Sequence, residues 1–159
     1  MSDIQGQIND HLDSAAPRSV DLARLMVYVT VAWLAIRTLL AIIFKDNLID
    51  GYIDQTSSGL PEEVLREGAP NYTAIALISL IIFGGLLLLC AFKFASRANW
   101  ARIVAIVFSA LTLIGGLLGF AQKGIPTWYL LTGLVSSVIA AGVIWFLVQK
   151  DSNAWFKGA

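Results

Sequence analysis

The side chain here with the most chemical potential is an arginine in an unusual place. Arg37 stands inside the apolar run 20–44, about seven residues from its C-terminal end, or roughly 10 Å at helical rise. A guanidinium is a rigid fork of donors that keeps its charge, so it suits hydroxyls, carbonyls or an oxyanion. In hydrocarbon it costs from about 2.5 kcal/mol upward unless it finds partners. Helix side chains lean toward the N-terminus, so Arg37 leans away from the nearer end of its run. Three readings stay open: a polar cluster inside a helix bundle, a contact with an anion or lipid phosphate, and snorkelling. At similar depth the other apolar runs offer Ser79, Thr112, Thr132 and Ser136, and no acid.

The remaining reactive groups suggest less. Asp46, Asp50 and Asp54 fall four apart, which puts them on one helix face. Three carboxylates could hold calcium, but the spacing is not that of an EF-hand loop. A solvated or partner-facing surface is expected, with Ile49, Tyr52 and Ile53 as an apolar patch beside it. His11 has no second ligand nearby and reads as solvated. The single cysteine, Cys90, excludes an internal disulfide and a multi-cysteine metal site. It lies in an apolar run and reads as a small buried hydrophobe. A proton-coupled transporter needs an intramembrane acid or histidine, a four-helix haem protein needs axial ligands, and nucleophilic catalysis needs a placed base. None of these patterns is visible, so no enzyme, metal or cofactor is expected.

The elements that must position these groups are legible from composition. Only 14% of residues are charged, against about a quarter in an ordinary soluble domain. The missing charge is cut out of four blocks, 20–44, 72–95, 100–120 and 128–148. Each is long enough to cross about 30 Å of hydrocarbon as a helix. Backbone in hydrocarbon must satisfy itself, and strand alternation is absent, so the blocks are helices. The fold class is all-α, a four-transmembrane-helix bundle. Residues 1–19 and 149–159 are polar tails. The first tail has no cleavable-signal pattern, while Ile4, Ile8 and Leu12 recur on one face of a short helix. Ser19 is placed to cap the first span.

Orientation follows from the loops. Arg18, Arg24, Lys93, Arg97, Arg102, Lys150 and Lys157 flank one side, and only Lys45, Arg66 and Lys123 the other. The excess marks the cytoplasmic side, so both termini are expected inside. Trp100 falls at the inner interface, and Tyr72, Trp128 and Tyr129 at the outer one. The outer loop 45–71 is acidic. Ser58-Gly59-Leu60-Pro61-Glu62-Glu63 is a helix-start signal there, so two short surface helices are expected. Asn71-Tyr72-Thr73 is a weak glycosylation match. Small residues stripe the later spans: Ala101, Ala105 and Ser109, then Gly115 and Gly119, and Gly133, Ser137 and Ala141. Such stripes let helix backbones approach closely.

The stretch Ala91-Phe92-Lys93-Phe94, followed by Arg97-Ala98-Asn99-Trp100-Ala101-Arg102-Ile103-Val104, resembles a group of uncharacterised small four-span membrane proteins of actinobacteria. Pro17-Arg18-Ser19-Val20 and Asn153-Ala154-Trp155-Phe156-Lys157 are similar to it too. Members often have prolines before that tail, where this chain has Gln149, Lys150 and Asp151. The resemblance implies a bacterial plasma membrane and a four-helix architecture, and it transfers no catalytic residue. Net charge is formally zero, which gives no bias toward nucleic acid. The expected partners are the bilayer and another membrane protein or a second copy. The expected function is a non-enzymatic accessory or scaffold subunit; the alternative is a carrier or channel for a small solute or lipid.

Overall fold

The computed structural model describes Ile4, residues 15–56 and residues 59–158. His11 and the Ile8 and Leu12 positions of the N-terminal repeat lie outside the described residues, as does Ser58. Nearly everything described is helix: α1 (Arg18–Ile43), α2 (Lys45–Gln55), α3 (Glu62–Glu67), α4 (Tyr72–Ser79), a π-helical turn (Leu80–Gly84), α5 (Gly85–Phe94), α6 (Asn99–Gly119), α7 (Thr127–Val148) and α8 (Lys150–Lys157). Four stretches are long and apolar enough to cross a membrane: α1, the run through α4 and α5, α6, and α7. Large apolar side chains face outward along them, Ile81 at 72%, Val138 at 67% and Trp145 at 66% exposed. So much contiguous apolar surface suits lipid, not water.

The helix ends show how local sequence sets the boundaries. Pro17 is extended, and its carbonyl accepts from the N–H groups of Val20 and Asp21. Ser19 therefore sits inside the first turn and does not cap it; its hydroxyl donates to Ser152 Oγ at 2.8 Å, whose own proton goes to the Phe146 carbonyl at 2.7 Å. Asn71 is the side-chain cap of α4, with Oδ1 accepting from the Ala74 N–H at 3.0 Å. That bond commits the side chain of the glycosylation match to the helix start.

Two halves of the bundle differ. At the tail end, where Ser19 meets Ser152, the core is dense. Val20, Ala23 and Val27 of α1 meet Leu87, Cys90, Ala91 and Phe94 of α5, Ala101 and Ala105 of α6, and Val143 and Leu147 of α7. Residues 150–157, expected as a polar tail, form α8 and close this end. Gln149 is extended and turns the chain, and Trp155 and Phe156 are then buried. Trp155 Nε1 donates to the Phe94 carbonyl at 3.1 Å. The Arg97 guanidinium lies 4.1 Å from the Trp155 ring centroid, and that of Arg102 lies 5.6 Å from Phe156. Arg102 also donates through Nε to the Leu147 carbonyl at 3.0 Å and through Nη2 to Asn153 Oδ1. A carbonyl left open at the end of α7 is thereby satisfied.

At the opposite, loop end the packing loosens. α6 lies along α7, α7 along α1, and α5 against both α1 and α6. Past the π turn, α4 leans on α1, and no comparable packing joins it to α6 among the described residues. Phe83 and Phe108, with ring centroids 5.3 Å apart, mark a contact between the second and third spans at that height. α2 folds back over the loop end, where Gly51 is buried against the Gly124 carbonyl and Gln55 Nε2 donates to the Lys123 carbonyl.

The dense end makes a direct prediction. Trp155→Ala should lower stability in detergent by about 3 kcal/mol, a value usual for truncating a buried aromatic. Trp145→Ala, on the exposed surface, should change it by less than about 0.5 kcal/mol. Thermal unfolding of the two variants, compared with the unaltered chain, checks both.

Candidate functional site

The loosened half contains the site. Arg37 extends from α1 to α7, where Nε donates to Thr132 Oγ1 at 3.1 Å and Nη1 to Ser136 Oγ at 3.4 Å. Its guanidinium carbon lies 4.8 Å from the Tyr129 ring centroid, within cation–π range. Trp33, one turn earlier on α1, donates through Nε1 to Ser136 Oγ at 3.0 Å and to the Thr132 carbonyl at 3.3 Å. Two pairs spaced by four residues therefore clasp each other across the helix interface. Thr132 Oγ1 donates to the Tyr129 carbonyl and Ser136 Oγ to the Thr132 carbonyl. With their protons placed on their own helix, the hydroxyls turn lone pairs toward Arg37.

Of the four hydroxyls read as partners by depth, these two meet the guanidinium and two do not. Thr112 donates to the Phe108 carbonyl at 2.9 Å and lines the same cavity without bonding Arg37. Ser79 lies across a second cavity on α4. Among the described residues no carboxylate lies within ion-pair distance of Arg37. Its neighbours orient the charge without neutralising it.

The cavity beside Arg37 has a volume of about 340 Å³, within the usual range for a small-ligand site. α1 contributes Thr30, Trp33 and Arg37; α7 contributes Tyr129, Gly133 and Ser136; α6 contributes Phe108, Thr112, Gly115, Gly116 and Gly119. A second cavity of about 240 Å³ lies between α1 and α4, and Arg37 and Tyr129 line both. A third, of about 190 Å³ beneath α2, shares Tyr129, Gln122 and Ile125 with the first.

The small-residue stripes divide between seam and cavity. Ala101, Ala105 and Ser109 are buried. A Cβ on Gly115 would meet nothing, and one on Gly119 only Leu130 at 3.6 Å. The close approach falls at Gly116, where a Cβ would stand 2.0 Å from Ser137 Oγ and 3.0 Å from the Gly133 carbonyl. Helical rotation of about 100° per residue explains this: Gly116 continues the midline of the Ala101–Ala105–Ser109 stripe, and Gly115 is about 80° off it. On α7, Ser137 is buried and Gly133 half-buried. Ala141 is exposed, and its neighbour Ala140 is buried instead.

The acidic loop is partly used by the chain itself. Asp46, Asp50 and Asp54 are all exposed. Arg66 Nη2 donates to Asp50 at 2.9 Å and to Glu62 at 3.0 Å. Ile49, Tyr52 and Ile53 are half-buried, while Leu48 and Gly51 of the same helix are buried. The apolar side of α2 is thus turned partly onto its own bundle. Among the described residues no group of three His, Cys, Asp or Glu is arranged to hold a metal ion. Trp33, Tyr129 and Gly116 were not legible as a group; the signal for Trp33 is its position four residues before Arg37. No protein family, curated protein or solved structure matches this chain.

Gly115 and Gly116 should respond oppositely to substitution. Gly115→Ala should be neutral or stabilising by up to about 1 kcal/mol, since alanine favours the helix and meets nothing. Gly116→Ala should destabilise, because Ser137 Oγ stands where its methyl would go and the Gly133 carbonyl crowds the same space. Melting temperatures in detergent separate the two.

Proposed function

We propose that this chain is a multi-pass protein of a bacterial plasma membrane that binds an amphiphile in the Arg37 cleft. The carrying observation is a charged guanidinium, paired among the described residues with neutral groups, on the wall of a cavity of ligand size. Binding is favoured over catalysis by the hydroxyl geometry: the protons of Thr132 and Ser136 rest on backbone carbonyls, so neither oxygen stands beside a base that would activate it. The cytoplasmic assignment of the tail end is supported by its cations Lys93, Arg97, Arg102 and Lys150. The bacterial setting rests on the actinobacterial resemblance.

A second reading, an accessory subunit of a larger membrane complex, is supported by Asp46 and Asp54. Both are exposed, with no ion pair among the described residues. Much of the rest of α2 faces its own bundle, so the cleft carries more of the argument.

Orientation is tested with single cysteines. Positions Glu63 and Lys123 should react with an impermeant thiol reagent in intact cells, and positions Ser96 and Lys150 should not. The native Cys90 is buried and should stay silent. Reversed labelling would overturn the orientation. Binding is tested by mass spectrometry of the full chain extracted in mild detergent. The unaltered chain should carry an amphiphile, and Gly115→Leu, which fills the cleft from an unobstructed position, should lose it without losing its fold. Equal retention by both would remove the cleft from consideration, and a stoichiometric protein partner in its place would favour the accessory reading.

A further inference from the structure

We infer that the occupant of the cleft is a membrane lipid with a phosphate-bearing, anionic headgroup, taken sideways from the bilayer with its headgroup on Arg37. This rests on the binding reading above and names the chemical class of the ligand.

Charge gives the first argument. Arg37 spends Nε and Nη1 on two hydroxyls and has no hydrogen bond at Nη2 among the described residues. Hydroxyls supply dipoles and leave the full positive charge in place. In a low-dielectric surrounding such a charge gains most from an anion. A phosphate offers oxygens in the plane and spacing that a guanidinium fork matches. Tyr129 stacks on one side of the fork, which holds its plane while the free edge stays available.

Access gives the second argument. The inner half of the second span, α5, packs on α6, and the π turn still touches it through Phe83 and Phe108. Beyond that height α4 leans on α1, leaving the α6 side of the cleft without a helix packed on it. The α6 wall there is Gly115 and Gly119, whose bare Cα atoms leave room. An opening at this height, within the apolar spans, faces acyl chains before it faces water. A lipid can therefore bring its headgroup to Arg37 with its tails still in hydrocarbon. On the loop side, the way a soluble anion would come, α2 covers the bundle and the smaller cavity lined by Gly51, Gln55 and Gly124 lies beneath it.

The test uses the full chain in detergent, with binding followed by native mass spectrometry and by melting temperature. The probes are phosphatidylglycerol, phosphatidylcholine and inorganic phosphate. The unaltered chain should prefer phosphatidylglycerol by about tenfold, because both lipids offer the same phosphate but the choline cation of phosphatidylcholine cancels the net charge that Arg37 attracts. Arg37→Leu should reduce that preference to about one, while Arg37→Lys, keeping the charge without the fork, should fall between. Inorganic phosphate should leave the melting temperature unchanged. Equal binding of the two lipids by the unaltered chain overturns the inference, as does a preference that survives Arg37→Leu. Stabilisation by inorganic phosphate alone overturns it in favour of a soluble anion. If both lipids bind alike and Gly115→Leu abolishes both, only the headgroup assignment fails. If Gly115→Leu abolishes neither, the cleft itself is not the binding site.

Discussion

Between α6 and α7, at Gly116, the backbones come so close that no side chain fits: the Gly133 carbonyl and Ser137 occupy the space a Cβ would need. Without water to drive apolar surfaces together, helices in a bilayer associate through close packing and hydrogen bonds between them. A glycine opposite a glycine–serine pair is the geometry that yields such contact. With α6 and α7 held together, α1 can lie along α7, and the second span is left to choose between α1 and α6. Among the described residues it packs on both in its α5 half and on α1 rather than α6 in its α4 half. The cleft is the consequence of that choice, and the π turn at Leu80–Gly84 is where it happens. A wide turn changes the helical phase, so residues before and after it face different neighbours.

The tail end explains why the opening is confined to one half. Arg97 holds a left-handed φ of 56°, a conformation that usually takes glycine because a Cβ crowds the following carbonyl. Glycine there would relax the backbone but lose the guanidinium stacked on Trp155. The local cost thus persists because the side chain ties α8 to the turn. Arg102 adds the Leu147 carbonyl and Asn153. These are cations that charge asymmetry reads as topology markers, and they have a second, structural task. Motion needed for a ligand to enter is therefore more easily found in α4, which lacks this cross-linking, than in α5.

The gross architecture was legible because hydrocarbon is an unforgiving solvent. It demands apolar runs of a set length and internally satisfied backbone, so composition alone separates four helices from their connections. Azimuth around each helix was less legible. Depth placed Ser79, Thr112, Thr132 and Ser136 level with Arg37, but depth does not say which way a hydroxyl faces, and only the two on α7 reach the guanidinium. Similarly, a stripe spaced by four drifts about 40° per step, which is why its continuation is Gly116 rather than Gly115. α8 was hidden for another reason. Eight residues with two aromatics among polar neighbours read as a tail, because burial of Trp155 and Phe156 depends on a surface, Phe94 and its surroundings, built from distant sequence.

The choice of partners for Arg37 carries a functional argument of its own. An acid at position 132 or 136 would neutralise the guanidinium within the bundle and leave little attraction for an external anion. Apolar residues there would leave the fork unpaired, at a cost of several kcal/mol for a charge deprived of hydrogen bonds. Threonine and serine lie between these limits. They supply acceptors that fix the fork in direction, and Trp33 fixes Ser136 in turn. What they do not supply is countercharge. A bundle selected for stability alone would gain from closing that deficit, so its presence fits a site where the missing charge would arrive with a ligand. The same logic accounts for the glycines opposite. A Cβ on Gly115 would meet nothing and alanine would favour the helix, yet Gly115 lines the same cavity as Arg37, where a larger side chain would take up volume. Unneutralised charge on one wall and unfilled volume on the other are separate departures from stability, and one occupant with an anionic head would resolve both.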